Sequence, residues 1–464
     1  MISKWVEEEL ESINIGDKRL NQRVKRFLST ASRKPSASIC SMFHTRKEVQ
    51  AAYRLYDNDL VTEQKIFDPH LKKTLERVSE QSVVLCLCDT TSLNYTTRKT
   101  QPDSGYISSN NAQGFFLHAG LAITPDRLHL GVIQQKFWAR DKSKSEKSIH
   151  RDFLPIEEKE SFRWLESYIN CCEIAEKCKS SRIVHVSDRE GDIIEIFLEY
   201  QSRKSTGIAA DFIIRSNHNR LIDSDKASKK LYEHINALEE LGILEFEIID
   251  RVTDKKRTVR QSVKAGSVAI KSKEKGKPDV KVNVICLKEI DPPEGEEPIV
   301  WYLLTSLPIR TLGEIKAVIK YYLARWEVEI FFKTYKSGCK VEEKSLRSAK
   351  RLFPLFSLLL IIAWRLNFLL HMNRVMPEIS CELFFEESEW KAGYVAATRD
   401  RKIPSEPPTL EKMIYYIAKL GGYLGRKNDS QPGVKLLWLG IAALHNYADA
   451  WELFGPGSKT KQEI

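Results

Sequence analysis

Two short apolar runs, each closed by an aspartate, constrain this chain more than any other feature. Ser82-Val-Val-Leu-Cys-Leu-Cys88 leads into Asp89-Thr90-Thr91, and Arg182-Ile-Val-His-Val-Ser187 leads into Asp188. Runs this short and this rich in valine and leucine predict buried strands, which need other elements packed over them. Two further strands are predicted at 115–123 and 128–138, turning at Pro125-Asp126, and a helix over 157–177. The order strand, hairpin, helix, strand predicts a mixed α/β core. Functional side chains tend to sit at strand ends in such sheets. Carboxylates brought together there repel one another unless they are protonated or bind a cation. Taken singly, each aspartate is better explained as the cap of a turn or a helix.

At 464 residues the chain exceeds one ordinary core, and two to four domains are expected. Hydrophobic residues make up 42%, which excludes a mainly disordered chain. The first segment, to about residue 70, reads as helical. Gly16-Asp17 offers a helix start, and Leu20, Val24, Phe27 and Leu28 recur at helical spacing. Lys18, Arg19, Arg23 and Arg26 belong to a stretch, Asp17 to Lys34, with seven basic residues and one acid. A basic helix face fits DNA, but taken alone it fits plain solvation better. Between about 210 and 306 the chain turns β-rich, with strands predicted at 212–216, 244–252, 259–271, 280–287 and 299–306. Residues 255–281 carry ten basic residues against two acids. Helices return at 410–420 and 434–453, the last with Val434, Leu437, Trp438, Ile441, Leu444, Ala448 and Trp451 on one stripe. The domain expectation is therefore 1–70, then 71–370 with a β insertion at about 210–306, then 371–464.

The net charge of +10 raises nucleic acid only modestly as a partner. The run 352–364 is short of the roughly 20 residues a membrane span needs and predicts a buried helix. The opening MISKWVEEEL has no apolar leader core, so a cytoplasmic protein without a membrane partner is expected. Nine cysteines form no CxxC pair, and Cys171, Cys172 and Cys178 share a predicted helix without histidine company. They read as reduced, buried thiols.

The segment 312–336 sharpens the two aspartates. Read as one helix, it sets Tyr322, Arg325, Glu329, Lys333 and Lys336 on a single stripe. Ile315, Val318, Ile319, Leu323, Trp326, Ile330 and Phe331 fill much of the remaining surface and predict burial. A stripe of one acid, three cations and a tyrosine amid such residues is costly unless it serves something charged. A glutamate among cations suits a metal ligand beside a phosphodiester. Asp89, Asp188 and Glu329 would then hold two divalent ions roughly 3.5–4 Å apart. All-oxygen ligands fit magnesium, and manganese equally. His118, in a predicted core strand, is read as a satisfied core histidine rather than a ligand.

The spacing of Tyr322, Arg325, Glu329 and Lys336 resembles the Tyr-Arg-Glu-Lys signature of the insertion-sequence-four family of bacterial DDE transposases, which includes the Tn-five transposase. The resemblance runs along the whole chain. Gly16-Asp-Lys-Arg-Leu-Asn21, Lys34-Pro-Ser-Ala-Ser38, Ala51-Ala-Tyr-Arg54 and Asp57-Asn58 resemble the family's end-binding domain. Asp89-Thr-Thr-Ser-Leu93 and Asp188-Arg-Glu190 resemble its two catalytic aspartate motifs. It implies a ribonuclease-H-like (retroviral-integrase-like) core interrupted by the β insertion, with helical domains at both termini. It implies double-stranded DNA as partner, both transposon ends and target, and a homodimer in the synaptic complex. It also implies excision by hydrolytic nicking, hairpin formation and strand transfer, in a bacterial cytoplasm where the protein joins the nucleoid when bound to DNA. Trp301 matches the tryptophan that supports a flipped base and equally fits a core strand, and Arg215 and Arg220 match insertion-domain residues that grip DNA.

Overall fold

The first aspartate does not end its strand. In a computed structural model that describes residues 2–97, 101, 103–108, 111–140, 154–223, 230–249, 256–271, 279–426 and 429–456, the strand Val83–Asn94 runs straight through Asp89. Thr90 and Thr91 are β-branched and half-buried, so they extend the ladder where the strand was expected to end. The chain divides into two compact units, one of Val78–Asp89 and Lys147–Trp326, the other of Met1–Arg77, Thr90–Glu146 and Glu327–Ile464.

In the first of these units, Arg182–Ser187 runs parallel to the first aspartate strand, and Asp211–Arg215 runs parallel to Arg182–Ser187. Their centres, from Val84 to Leu87 and Ile183 to Val186, are buried. The helix Phe162–Lys177 packs on Arg182–Ser187, burying Trp164, Tyr168, Cys171 and Cys172. His185, on the neighbouring strand, lies close enough to interact with Cys88. All nine cysteines are free, and all but Cys40 are buried. Beyond Asp211–Arg215 the sheet turns antiparallel through Val300–Thr305, Val280–Glu289 and Lys256–Ile270, with Gly242–Ile249 on the last. This is the β-rich stretch read from the sequence. Part of its basic run, including Lys255, Lys273, Lys275 and Lys277, lies outside the described residues, as does Val252.

In the second unit, the apolar run extends to a 27-residue helix, Ala349–Val375. It is long and apolar enough to cross a membrane, yet 89% of its most apolar window is buried inside the protein. It is a core helix, packed on the strand His129–Trp138, where Trp364 Nε1 donates to the His129 carbonyl at 3.0 Å. Near the N-terminus, Asp17 caps the helix Lys18–Arg33 by accepting from the Arg19 N–H at 2.7 Å. Leu20, Val24, Phe27 and Leu28 face inward, while Lys18, Arg19, Arg23 and Arg26 are not buried. Lys25 turns inward to Glu7 at 2.5 Å.

Three helices near the C-terminus, Glu387–Thr398, Leu410–Leu420 and Val434–Phe454, pack pairwise. A side chain at Gly440 would meet the Ile417 carbonyl, so glycine permits the close helix approach there. On Glu387–Thr398 the buried Glu389 carboxyl is pushed up by burial to about 7. His445, whose Nδ1 lies 3.2 Å from it, is pushed down by burial to about 3. A carboxyl whose folded value lies above its ordinary 4.5 weakens the fold progressively as pH rises from 4.5 through 7. Glu389→Gln is therefore expected to raise the melting temperature by about 5 °C at pH 8 and to change it little at pH 4.5, measured by calorimetry.

Candidate active site

The register of three parallel strands builds the site. Leu87 lies opposite Val186, so Asp89 and Asp188, each two residues further along, stand side by side on one face. Ser187 lies opposite Ile214, so Arg215 is next to Asp188 in the same row. Neighbouring strands are about 4.8 Å apart, so this register brings the two aspartates to the same end of adjacent strands. Arg325 Nη1 donates to Asp89 Oδ2 at 3.2 Å, and both side chains are mostly buried. Asp188 accepts from the Glu190 N–H at 2.9 Å and so caps the short turn Arg189–Gly191.

An aromatic wall adjoins this row. Tyr322 meets Trp301 edge-on with centroids 5.6 Å apart, and Phe246 lies against Trp301 at 6.1 Å. The Arg215 guanidinium sits 5.7 Å from the Trp301 ring centre. Burial pushes the Tyr322 phenol up, the cations of Arg325 and Arg215 oppose this, and the charge of Asp188 adds to it. Asp188, Tyr322, Arg325 and Arg215 thus share one electrostatic field. Two hard-oxygen ligands flanked by guanidinium groups suit a divalent cation and a phosphate together.

Of the remaining expected residues, Glu329, Lys333 and Lys336 belong to the second unit. Glu329 and Lys333 lie on the helix Trp326–Lys333, and Lys336 on the π-helical turn Thr334–Gly338. The single continuous stripe expected over 312–336 is corrected. The helix Leu312–Leu323 stops, Ala324 and Arg325 form a turn, and a new helix begins at Trp326. Trp326 and Ile330, expected to be buried, are 48% and 36% exposed. Lys333 is exposed and Lys336 half-buried, with burial lowering the Lys336 amine.

Three residues escaped notice in the sequence. Glu327 is buried, and its Oε2 lies 3.4 Å from His129 Nε2 and 3.1 Å from His371 Nε2. These side chains are of types that bind transition metals, and their ligand atoms lie within 4.8 Å of one another. The two imidazoles are stacked, however, with planes 16° apart and both Nε2 atoms on one carboxylate oxygen. That is the geometry of two hydrogen bonds anchoring the helix that carries Glu329. Only spacing across 198 and 44 residues could have signalled the trio, and one sequence does not carry that. His118 is satisfied by Thr90 Oγ1 at 2.8 Å, as expected of a core histidine.

Arg220 donates to Asp192 at 2.5 Å and to its carbonyl at 2.8 Å. Among the acids near Asp188, Glu190 is exposed and bound by Arg163 at 2.6 Å, whereas Asp192 is buried.

Comparison with known families finds two matches, one toward each end of the chain. A model described as transposase DNA-binding matches residues 2–61, which include Lys18, Arg19, Arg23 and Arg26. A model described as the transposase Tn5 dimerisation domain matches residues 361–453, which include most of the three packed helices. Together the two matches support a Tn5-like transposase.

Proposed function

We propose that this chain is a cut-and-paste DNA transposase of the insertion-sequence-four type, acting through Asp89, Asp188 and Glu329. The observation that carries the proposal is the row of Asp89, Asp188 and Arg215 on adjacent strands, with Arg325 bonded to Asp89. The strand–hairpin–helix–parallel strand order around the two aspartates supports a ribonuclease-H-like core interrupted by the β insertion at about 210–306. The match over residues 2–61 supports end binding by residues 1–70, and the match over 361–453 supports homodimer formation through 371–464; catalysis falls to 71–370 in this reading.

Bound by the three carboxylates, two magnesium or manganese ions would activate water and stabilise the departing 3′ oxygen. The chain's own groups do the rest. Arg325, Lys333 and Lys336 hold phosphates near the scissile bond, and Tyr322 donates to one of their oxygens. Trp301, stiffened by Phe246 and Tyr322, offers a face on which an unstacked base can rest. Arg215 grips the strand beside it, and Arg220 shapes the turn that follows. Lys18, Arg19, Arg23 and Arg26 contact the backbone of the transposon end, and the partner DNA is the element's own inverted repeats and its target.

The test uses the purified full-length protein, magnesium, and DNA carrying the inverted repeats that flank its gene. The expected products are a nick at the element's 3′ end, a hairpin, and joining of pre-cut ends to target DNA. Cleavage without joining would reduce the protein to a nuclease, and binding without cleavage under any metal would overturn the site.

A further inference from the structure

We propose that Asp192 is a positioning residue that locks the turn bearing Asp188 to the chain segment bearing Arg215. This rests on the reading of Asp188 as a metal ligand. Asp192 is 1% exposed, and its carboxylate is met by donors from the segment 216–220. Its Oδ2 accepts from the Asn217 N–H at 2.6 Å, the His218 N–H at 3.0 Å and Ser216 Oγ at 3.4 Å. Its Oδ1 accepts from Arg220 Nη1 at 2.5 Å, and its carbonyl accepts from Arg220 Nη2 at 2.8 Å. A carboxylate taken this far out of water is tolerable only when such donors surround it. Arg220 is held in turn over the Phe197 ring at 5.4 Å.

Asp192 follows Asp188 by one short turn, and that turn is clamped on its other side as well. A side chain at Gly191 would come within 2.2 Å of Ser187 Oγ and 3.3 Å of Trp164. The turn therefore has no slack, and where Asp192 is held, Asp188 is aimed. Arg215 directly precedes the segment that Asp192 binds and stands opposite Asp188 in register. One buried carboxylate thus sets the spacing between a metal-binding oxygen and a phosphate-binding guanidinium. Such supporting contacts fix the direction of a ligand's lone pairs and hence its affinity for the ion.

The experiment compares Asp192→Asn, Arg220→Gln, their combination and Asp188→Asn in the full-length protein, with end DNA cleaved over a range of magnesium concentrations. Asparagine keeps the shape but turns an amide donor toward donors. Asp192→Asn is expected to raise the half-saturating magnesium concentration about tenfold, with the rate at saturating metal within about threefold of the parent. The double variant places a side-chain carbonyl at position 220 that can accept from the new amide, and is expected to return the midpoint toward the parent value. Asp188→Asn is expected to be inactive at every concentration. An unchanged midpoint in Asp192→Asn, with or without a lower rate, overturns the proposal. Should that variant fail to melt cooperatively, Arg220→Gln alone decides by the same midpoint. Parental cleavage by Asp188→Asn overturns the site reading itself, and the positioning role with it.

Discussion

Alanine at Asp89, Asp188 or Glu329 is expected to slow cleavage of end DNA on the order of a thousandfold or more, with end binding retained. Losing a metal-ligating carboxylate removes several kcal/mol of transition-state stabilisation, and each 1.4 kcal/mol is about tenfold in rate. The binding half of the expectation has its own physical basis. Asp89→Ala removes one carboxylate partner of Arg325 and with it a negative charge beside the proposed DNA path. Affinity for a polyanion should therefore hold or rise slightly, with a steeper salt dependence. Single-turnover cleavage and a gel-shift titration at several salt concentrations check the two halves. Nicking at the parental rate in any of the three variants would remove that residue from the site. A fall in both cleavage and binding would mark a folding defect instead.

Much of the frame that carries these residues was legible, because burial leaves a period in the sequence. The strand Arg182–Ser187 and the helix Leu410–Leu420 fall where the apolar pattern puts them. The cap at Asp17 was legible because the helix start needs an acceptor there. The errors have one common form. Asp89 reads as the strand's end, although the branched side chains of Thr90 and Thr91 suit a continued ladder. The stripe from Tyr322 to Lys336 was drawn on one ideal helix. Helical spacing does not reveal the turn at Ala324-Arg325, which points Arg325 at Asp89.

Contacts across long chain separations were the least legible. Asp192 and Glu190 look alike beside Asp188 in a list of acids. Only the folded segment 216–220 makes one of them a buried acceptor and leaves the other at the surface. The same holds for Glu327, whose importance comes from His129 and His371. Carboxylate chemistry is set by the donors that folding brings up, so sequence can nominate acids without ranking them.

The N-terminal region contains another buried carboxylate, and its loss is expected to cost the fold heavily. Glu9, on the helix Lys4–Glu9, receives both Arg77 guanidinium nitrogens at 2.9 Å and lies 2.5 Å from His70 Nδ1. The Val132 N–H donates to His70 Nε2 at 2.9 Å, so that nitrogen is the acceptor and Nδ1 carries the proton given to Glu9. Arg77 Nε also donates to the Leu130 carbonyl at 2.6 Å. One carboxylate therefore ties the N-terminal helix to the helix Glu63–Ser79 and, through His70 and Arg77, to the region of strand His129–Trp138. Burial alone would raise the Glu9 carboxyl, but His70 and Arg77 outweigh it and hold it down at about 2. A value below the ordinary 4.5 means stability that is present above pH 4.5 and lost as pH falls toward 2, about 3 kcal/mol in all. Glu9→Leu leaves Arg77 and the His70 N–H without their acceptor and should cost about 3–5 kcal/mol at pH 7. Denaturant unfolding of parent and variant at pH 7 and pH 3 checks this. The gap between them should narrow at pH 3, where more of the carboxylate's advantage is lost, and a constant gap would show that packing rather than charge holds this corner together.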